Sequence, residues 1–182
     1  MRITITGPRS IGKSTVSKIV AKKLKLKYIS SDSIGEKALK KHGGLDKAIK
    51  SGVIKKFIKK KGYTLIAKEY KKDNFVLDLS GGSVSSKEFE RASKKLRKIV
   101  KSKSLVIGLL PYKNQKKSLI LLFKRESKRK HFKKVDKALL LKKVTKDYKK
   151  FPLIFKQFCD IIIYMENKTP SKVAQEAISK IK

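Results

Sequence analysis

The chain has a single cysteine, Cys159, no tryptophan, four prolines and two histidines, His42 and His131, among 182 residues. One cysteine cannot close an internal disulfide. With two histidines beside it there is no Cys/His spacing of the zinc-site kind. No run approaches the ~18 apolar residues that a spanning helix needs. The opening stretch from Met1 breaks at Gly7-Pro8, too short for the apolar core of a secretion signal. Neither a membrane nor an oxidising compartment is indicated, and a reducing cytoplasm is the expected home.

Acidic residues are also few. Fourteen Asp+Glu face 50 Lys+Arg, which gives a formal charge of +36 and a pI near 10.3. A balance this basic raises the question of nucleic acid, where phosphate neutralisation and counterion release drive binding. Arginine, however, occurs only at Arg2, Arg9, Arg91, Arg97, Arg125 and Arg129. The planar guanidinium fork suits phosphates and guanine edges better than an ammonium does, and a lysine excess spread along every helix reads first as solvated faces. Nucleic acid is therefore a possible partner that the sequence does not favour. Small anions will be attracted in either case.

What is present suffices for a core: 40% of residues are hydrophobic, near the globular norm. The length fits one domain, 1–182, with no linker and no internal repeat. Short apolar runs alternate with longer amphipathic stretches, the pattern of βαβ units and a parallel sheet. Strands are expected at 2–6, 26–30, 75–79, 105–110 and 160–165. Helices are expected at 13–25, from Ser85 or Ser86 to about Val100, and at 116–124, 136–148 and 151–158. A last helix is capped by Thr169 with Pro170 in its first position. Residues 33–70 read as helical throughout, broken at His42-Gly43-Gly44 and softened at Ser51-Gly52. The expected fold is α/β: a three-layer α/β/α sandwich around a five-stranded parallel sheet. Tyr148, Phe151, Phe155 and Phe158 recur at helical spacing and are expected in the core, and Cys159 reads as a buried small hydrophobe.

One motif carries chemistry. Gly7-Pro8-Arg9-Ser10-Ile11-Gly12-Lys13-Ser14, followed by Thr15, matches G-x-x-x-x-G-K-[ST] between an apolar strand and an amphipathic helix. Glycines let the backbone turn sharply so that successive N–H groups form an anion nest. The helix that starts there adds its positive end. Lys13 would bridge the β- and γ-phosphates of ATP, and Ser14 would offer its hydroxyl to Mg2+. Asp78, delivered by an apolar strand, is a second metal candidate in the manner of a Walker-B aspartate, or else an aspartate paired with a lysine.

The order of later landmarks resembles the shikimate kinase family, a nucleoside-monophosphate-kinase-like branch of the P-loop proteins. They are Tyr28-Ile29-Ser30-Ser31-Asp32 after the second strand, Ser80-Gly81-Gly82-Ser83 after the third, Arg125 to Phe132, and Lys150-Phe151-Pro152-Leu153 before the last strand. The resemblance implies a P-loop NTPase fold with a lid at 124–136 and a substrate-binding helical region at 33–70. It implies that Asp32 holds the acceptor hydroxyl, a role compatible with capping the helix that follows. It places Gly81 and Gly82 near the substrate, Arg125 near adenine, Arg129 over the phosphates and Lys150 on the acceptor's negative group. Gly81 and Gly82 taken alone also read as an ordinary turn. Ser30 stands where the family carries an acidic residue, Ser83 where it carries a third glycine, and lysines such as Lys55, Lys56, Lys59, Lys60 and Lys61 where it carries arginine. Lysine keeps the charge and loses the bidentate fork.

The expected function is therefore a kinase that moves the γ-phosphate of MgATP to a hydroxyl of a small anionic acceptor, with shikimate first in line, acting as a monomer. Lys13, Asp32 and Arg129 are the candidate catalytic residues. The alternatives are a nucleoside-monophosphate kinase, an NTP-binding protein acting with RNA, and a family member that has lost transfer.

Overall fold

Parallel strands buried on both faces must be apolar along nearly their whole length. The strands β1 (Arg2–Gly7), β3 (Phe75–Ser80) and β4 (Leu105–Leu110) are buried along nearly their whole length and meet that demand except at Thr4, Thr6 and Asp78, which are buried polar residues. They form the centre of a five-stranded, all-parallel sheet completed by β2 (Lys27–Ser30) and β5 (Ile161–Tyr164), in the order β2-β3-β1-β4-β5. The computed structural model describes residues 1–61, 63–129 and 135–181. His131 and the rest of the central lid segment lie outside them.

Helices cover both sides of the sheet. Helix α1 (Lys13–Lys23) follows β1 and packs on β3 and on the last helix, α11 (Pro170–Ser179). Thr169 caps α11, its hydroxyl accepting from the Lys172 N–H at 3.3 Å. The stretch 33–70 is helical as the pattern predicts, divided into α2 (Ser31–Ala38), a 3-10 turn (Lys40–His42), α3 (Gly44–Lys50), α4 (Val53–Lys61) and α5 (Thr64–Glu69). Its breaks fall at Gly43, Gly44 and Gly52, with φ of 78°, 87° and 75°.

Two helix starts differ from the sequence reading. Helix α2 begins at Ser31, and its cap is Ser30, whose hydroxyl accepts from the Ser33 N–H at 3.4 Å. Asp32, expected as a cap, instead sits in the first turn, where its charge meets the positive end of the helix. After β3 the chain makes a short helix, α6 (Gly81–Ser85), before α7 (Glu90–Lys103). Ser86 accepts from the Phe89 N–H at 3.2 Å in the turn before α7, which starts only at Glu90 with Phe89 as its uncapped N-cap, so neither Ser85 nor Ser86 caps it.

Helices α8 (Gln115–Ser127), α9 (Lys137–Tyr148) and α10 (Phe151–Phe158) complete the domain, with Asn114 and Asp136 capping the first two. Tyr148, Phe151, Phe155 and Phe158 are all buried, and the rings of Phe151 and Phe155 meet edge to face at 5.4 Å. Cys159 is buried beside them, and desolvation pushes its thiol well above the ordinary range.

Helix α10 lies so close to β4 that Gly108 has no room for a side chain: a Cβ there would fall 2.7 Å from Cys159 Sγ and closer still to the ring of Phe155. Gly108→Ala is therefore expected to destabilise the chain by ~1–3 kcal/mol, the usual cost of overpacking a filled core. Urea unfolding should show a lower midpoint with an unchanged slope. An unchanged midpoint would mean that α10 docks elsewhere.

Candidate active site

The carboxyl ends of β1 and β3 lie side by side, with Gly7 opposite Ser80, and Ser30 of β2 opposite Asp78. The phosphate-loop motif leaves β1 at that edge. Gly7 is required by close approach, since a Cβ would sit 2.9 Å from the Leu109 carbonyl oxygen. Gly12 is required by conformation, with φ of 99° immediately before α1. Pro8 and Ile11 are buried, whereas Arg9, Ser14 and Thr15 are exposed. The loop thus presents its backbone and the Ser14 hydroxyl at the positive end of α1.

Beneath it lies a buried ion pair. Lys13 Nζ is 2.6 Å from Asp78 Oδ1, with the two side chains 13% and 4% exposed. The other oxygen, Oδ2, accepts from the Tyr28 hydroxyl at 3.1 Å. Tyr28 sits two residues before Ser30 on β2, which makes it the diagonal neighbour of Asp78 across the strand pair. Burial, with Asp78 beside it, pushes the Tyr28 hydroxyl up to about 12, so it stays a donor. The sequence reading missed Tyr28; the β2–β3 register that brings it to Asp78 is its only signal.

Oδ1 of Asp78 is buried and receives no hydrogen bond; the Lys13 ammonium is the charge that faces it. If Lys13 turns to a phosphate, this oxygen is left buried and needs another cation, because an unpaired buried carboxylate costs several kcal/mol. Mg2+ fits that demand: oxygen donors are the ligands it takes, and Asp78 and Ser14 supply a carboxylate and a hydroxyl on adjoining elements. Among the described residues no cluster of three or more His, Cys, Asp or Glu could hold a metal ion.

The end of α8 closes over the loop from another side. Arg125 donates to the Ile11 carbonyl at 2.8 Å and to the Ser10 carbonyl at 3.3 Å. Arg129 lies 3.5 Å from the Ser10 hydroxyl oxygen and 3.7 Å from Glu126 Oε1. Both arginines therefore meet the loop's outer rim. Glu126, to which the sequence assigns no role, is 4% exposed and accepts from the Ser10 hydroxyl at 2.7 Å.

The acceptor-side residues are less gathered. Asp32 is exposed in the first turn of α2. Gly82 is exposed, and a Cβ there would meet Ser80 Oγ at an ordinary 3.8 Å, while Gly81 is buried against the Gly7 carbonyl and the Phe151 ring, its Cβ position 2.9 Å from Phe151 Cζ. The glycine at 81 thus answers a packing demand. Lys150 precedes α10 and pairs with Asp147 at 3.5 Å. A separate cavity of about 490 Å3 opens between α4, α5 and α7, bordered by Lys59, Lys60, Tyr63, Phe89 and Lys95. None of Asp32, Gly81, Gly82 or Lys150 lines it.

A glycine-bounded phosphate loop at the carboxyl edge of a parallel sheet, with its lysine held over a strand aspartate, defines the P-loop NTPase fold. Solved structures agree on that fold. Shikimate kinase from Acinetobacter baumannii, in complex with shikimate, is similar at a TM-score of 0.73 with 18% identity, over 99% of this chain and 92% of that one. The Aquifex aeolicus shikimate kinase gives 0.70 with 20% identity, over 100% and 96%. Deoxyadenosine kinase from M. mycoides, with bound dCTP, gives 0.56 with 18% identity, over 99% and 100%. No curated protein sequence matches the chain. The family model for shikimate kinase matches residues 9–182, and the chain belongs to the shikimate kinase family. It is a nucleotide-binding kinase, and among its described residues no helix is long and apolar enough to cross a membrane.

The buried pair makes a stability prediction. Lys13→Met strands the Asp78 carboxylate and should cost ~3 kcal/mol in urea unfolding, the lower end for breaking such a pair. Adding Asp78→Asn should return most of the loss, and a double variant as unstable as Lys13→Met would contradict the pairing.

Proposed function

We propose that this kinase transfers the γ-phosphoryl group of MgATP to a hydroxyl of a small anionic acceptor, with shikimate as the leading candidate. The observation that carries the reading is the Lys13–Asp78 pair beneath an open phosphate loop, in a chain whose family match runs from residue 9 to 182.

The loop amides and the start of α1 hold the phosphate chain, and Lys13 leaves Asp78 for the β- and γ-phosphate oxygens. Ser14 and Asp78 would hold Mg2+, which when bound would neutralise charge that develops during transfer. Asp32, in the first turn of α2, orients the acceptor hydroxyl and takes its proton as the new O–P bond forms and the bond to the β-phosphate oxygen breaks. Gly82 leaves the acceptor's approach open, Lys150 attracts its negative group, and Arg129 covers the phosphates once the lid closes, excluding water that would otherwise compete as nucleophile. Catalysis here is mostly positioning and charge neutralisation.

A second reading, a different hydroxyl acceptor, is favoured by one observation: residues 45–72 carry lysines and no arginine. A planar carboxylate gripped by ammonium groups is held with less geometric selectivity.

ADP release from MgATP, measured with shikimate and with nucleoside monophosphates in parallel, separates these readings. Stimulation by shikimate alone is the expected result, and stimulation by a monophosphate alone would move the activity to the nucleotide-kinase class. Asp32→Asn should lower transfer by ~100-fold or more, the scale of a lost general base, while the dissociation constant for ATP stays within about twofold of native because Asp32 is assigned to the acceptor side. Undiminished turnover would remove Asp32 from the mechanism.

A further inference from the structure

Ser10 is the residue of the phosphate loop least suited to its backbone. Its φ is 61°, in the left-handed region, and it is not glycine. A non-glycine residue held there costs on the order of 1 kcal/mol and persists only where its surroundings enforce it. The enforcement comes from adjacent residues of α8. The Ser10 hydroxyl donates to Glu126 Oε1 at 2.7 Å, and the Ser10 carbonyl accepts from Arg125 at 3.3 Å. Arg125 also donates to the next carbonyl, that of Ile11, at 2.8 Å.

Glu126 is an unexpected group in such a place. A carboxylate beside a phosphate site repels the ligand unless its charge is balanced, and burial alone makes an unpaired carboxylate costly. Here the charge is balanced twice, by Arg9 Nε at 3.5 Å and by Arg129 at 3.7 Å from the same oxygen. What that oxygen contributes in return is the short bond to Ser10.

We propose that Glu126 is a positioning residue of the nucleotide site: it holds Ser10 in the left-handed conformation that aims the loop amides at the phosphates. Through Arg129 on the same oxygen it also ties the loop to the residues that follow α8. This rests on the reading of the loop as a nucleotide site, so the test reads nucleotide binding directly and needs no acceptor.

The experiment is a double-mutant cycle on the full chain, with ADP affinity measured calorimetrically in the presence of Mg2+. Glu126→Ala is expected to weaken ADP about tenfold, the effect of losing one charge-assisted hydrogen bond. Glycine adopts positive φ without help. In a Ser10→Gly background, the same Glu126→Ala change should therefore alter affinity less than about twofold relative to Ser10→Gly alone. Glu126→Gln, which keeps a carbonyl acceptor for the Ser10 hydroxyl, should stay within about threefold of native. A purely structural Glu126 would give the same factor in both backgrounds, and that result overturns the proposal. Should the Glu126 variants fail to fold, Ser10→Ala against Ser10→Gly still decides. Alanine loses the hydroxyl and dislikes positive φ, so it should bind ADP at least about threefold more weakly than glycine at the same position, and equal affinities would overturn the proposal. A native chain that binds no ADP at all would instead overturn the nucleotide reading, and this inference with it.

Discussion

A lysine ammonium and an aspartate carboxylate 2.6 Å apart, nearly out of reach of water, are the constraint around which the carboxyl edge of the sheet is arranged. Neither charge is tolerable there alone. The pair forces β1 and β3 to be neighbours, since one carries the loop that ends in Lys13 and the other carries Asp78. It recruits Tyr28 from β2 as a neutral donor to the remaining carboxylate oxygen. It also makes the site responsive. Under the proposed reading, a polyphosphate would draw Lys13 from Asp78, and the carboxylate so released would be a ligand for the accompanying cation.

A second layer of control lies outside the loop. Arg125 and Glu126 of α8 and Arg129 just beyond it fasten Ser10 and Ile11, so the loop's shape and the end of α8 are not independent. The remaining positive charge is spread over helix faces. Surface pairs such as Lys94–Glu90 and Lys55–Glu88 join side chains that are about half exposed, and exposed pairs of this kind contribute little to stability. The net charge of +36 acts instead as a long-range field that raises the local concentration of small anions.

The elements with strong local signals were legible in the sequence. All five strands lie where the apolar runs place them, Thr169 caps the last helix, and the glycines at 43, 44 and 52 break the helical stretch. The phosphate loop was legible because its spacing is fixed by the ligand. What escaped depends on contacts between distant segments. Tyr28 reaches Asp78 only through the register of β2 on β3. Glu126 has no role legible in the sequence, because its partner Ser10 meets it only through the placement of α8. The cap of α2 passed from Asp32 to Ser30 because the helix starts two residues early, a shift within the ordinary uncertainty of helix ends. Gly81, read as an approach to substrate, is required by the Gly7 carbonyl and the Phe151 ring, neither of them near it in sequence.

The central claim is that the Lys13–Asp78 pair is the nucleotide-free form of a phosphate-transfer site. A crystal structure of the chain with Mg2+ and a non-hydrolysable ATP analogue tests it most directly. The account predicts Lys13 Nζ within hydrogen-bond reach of the β- and γ-phosphate oxygens, away from Asp78, with the Asp78 carboxylate turned to the metal or its water. A nucleotide bound in the loop while Lys13 still rests on Asp78 would contradict it.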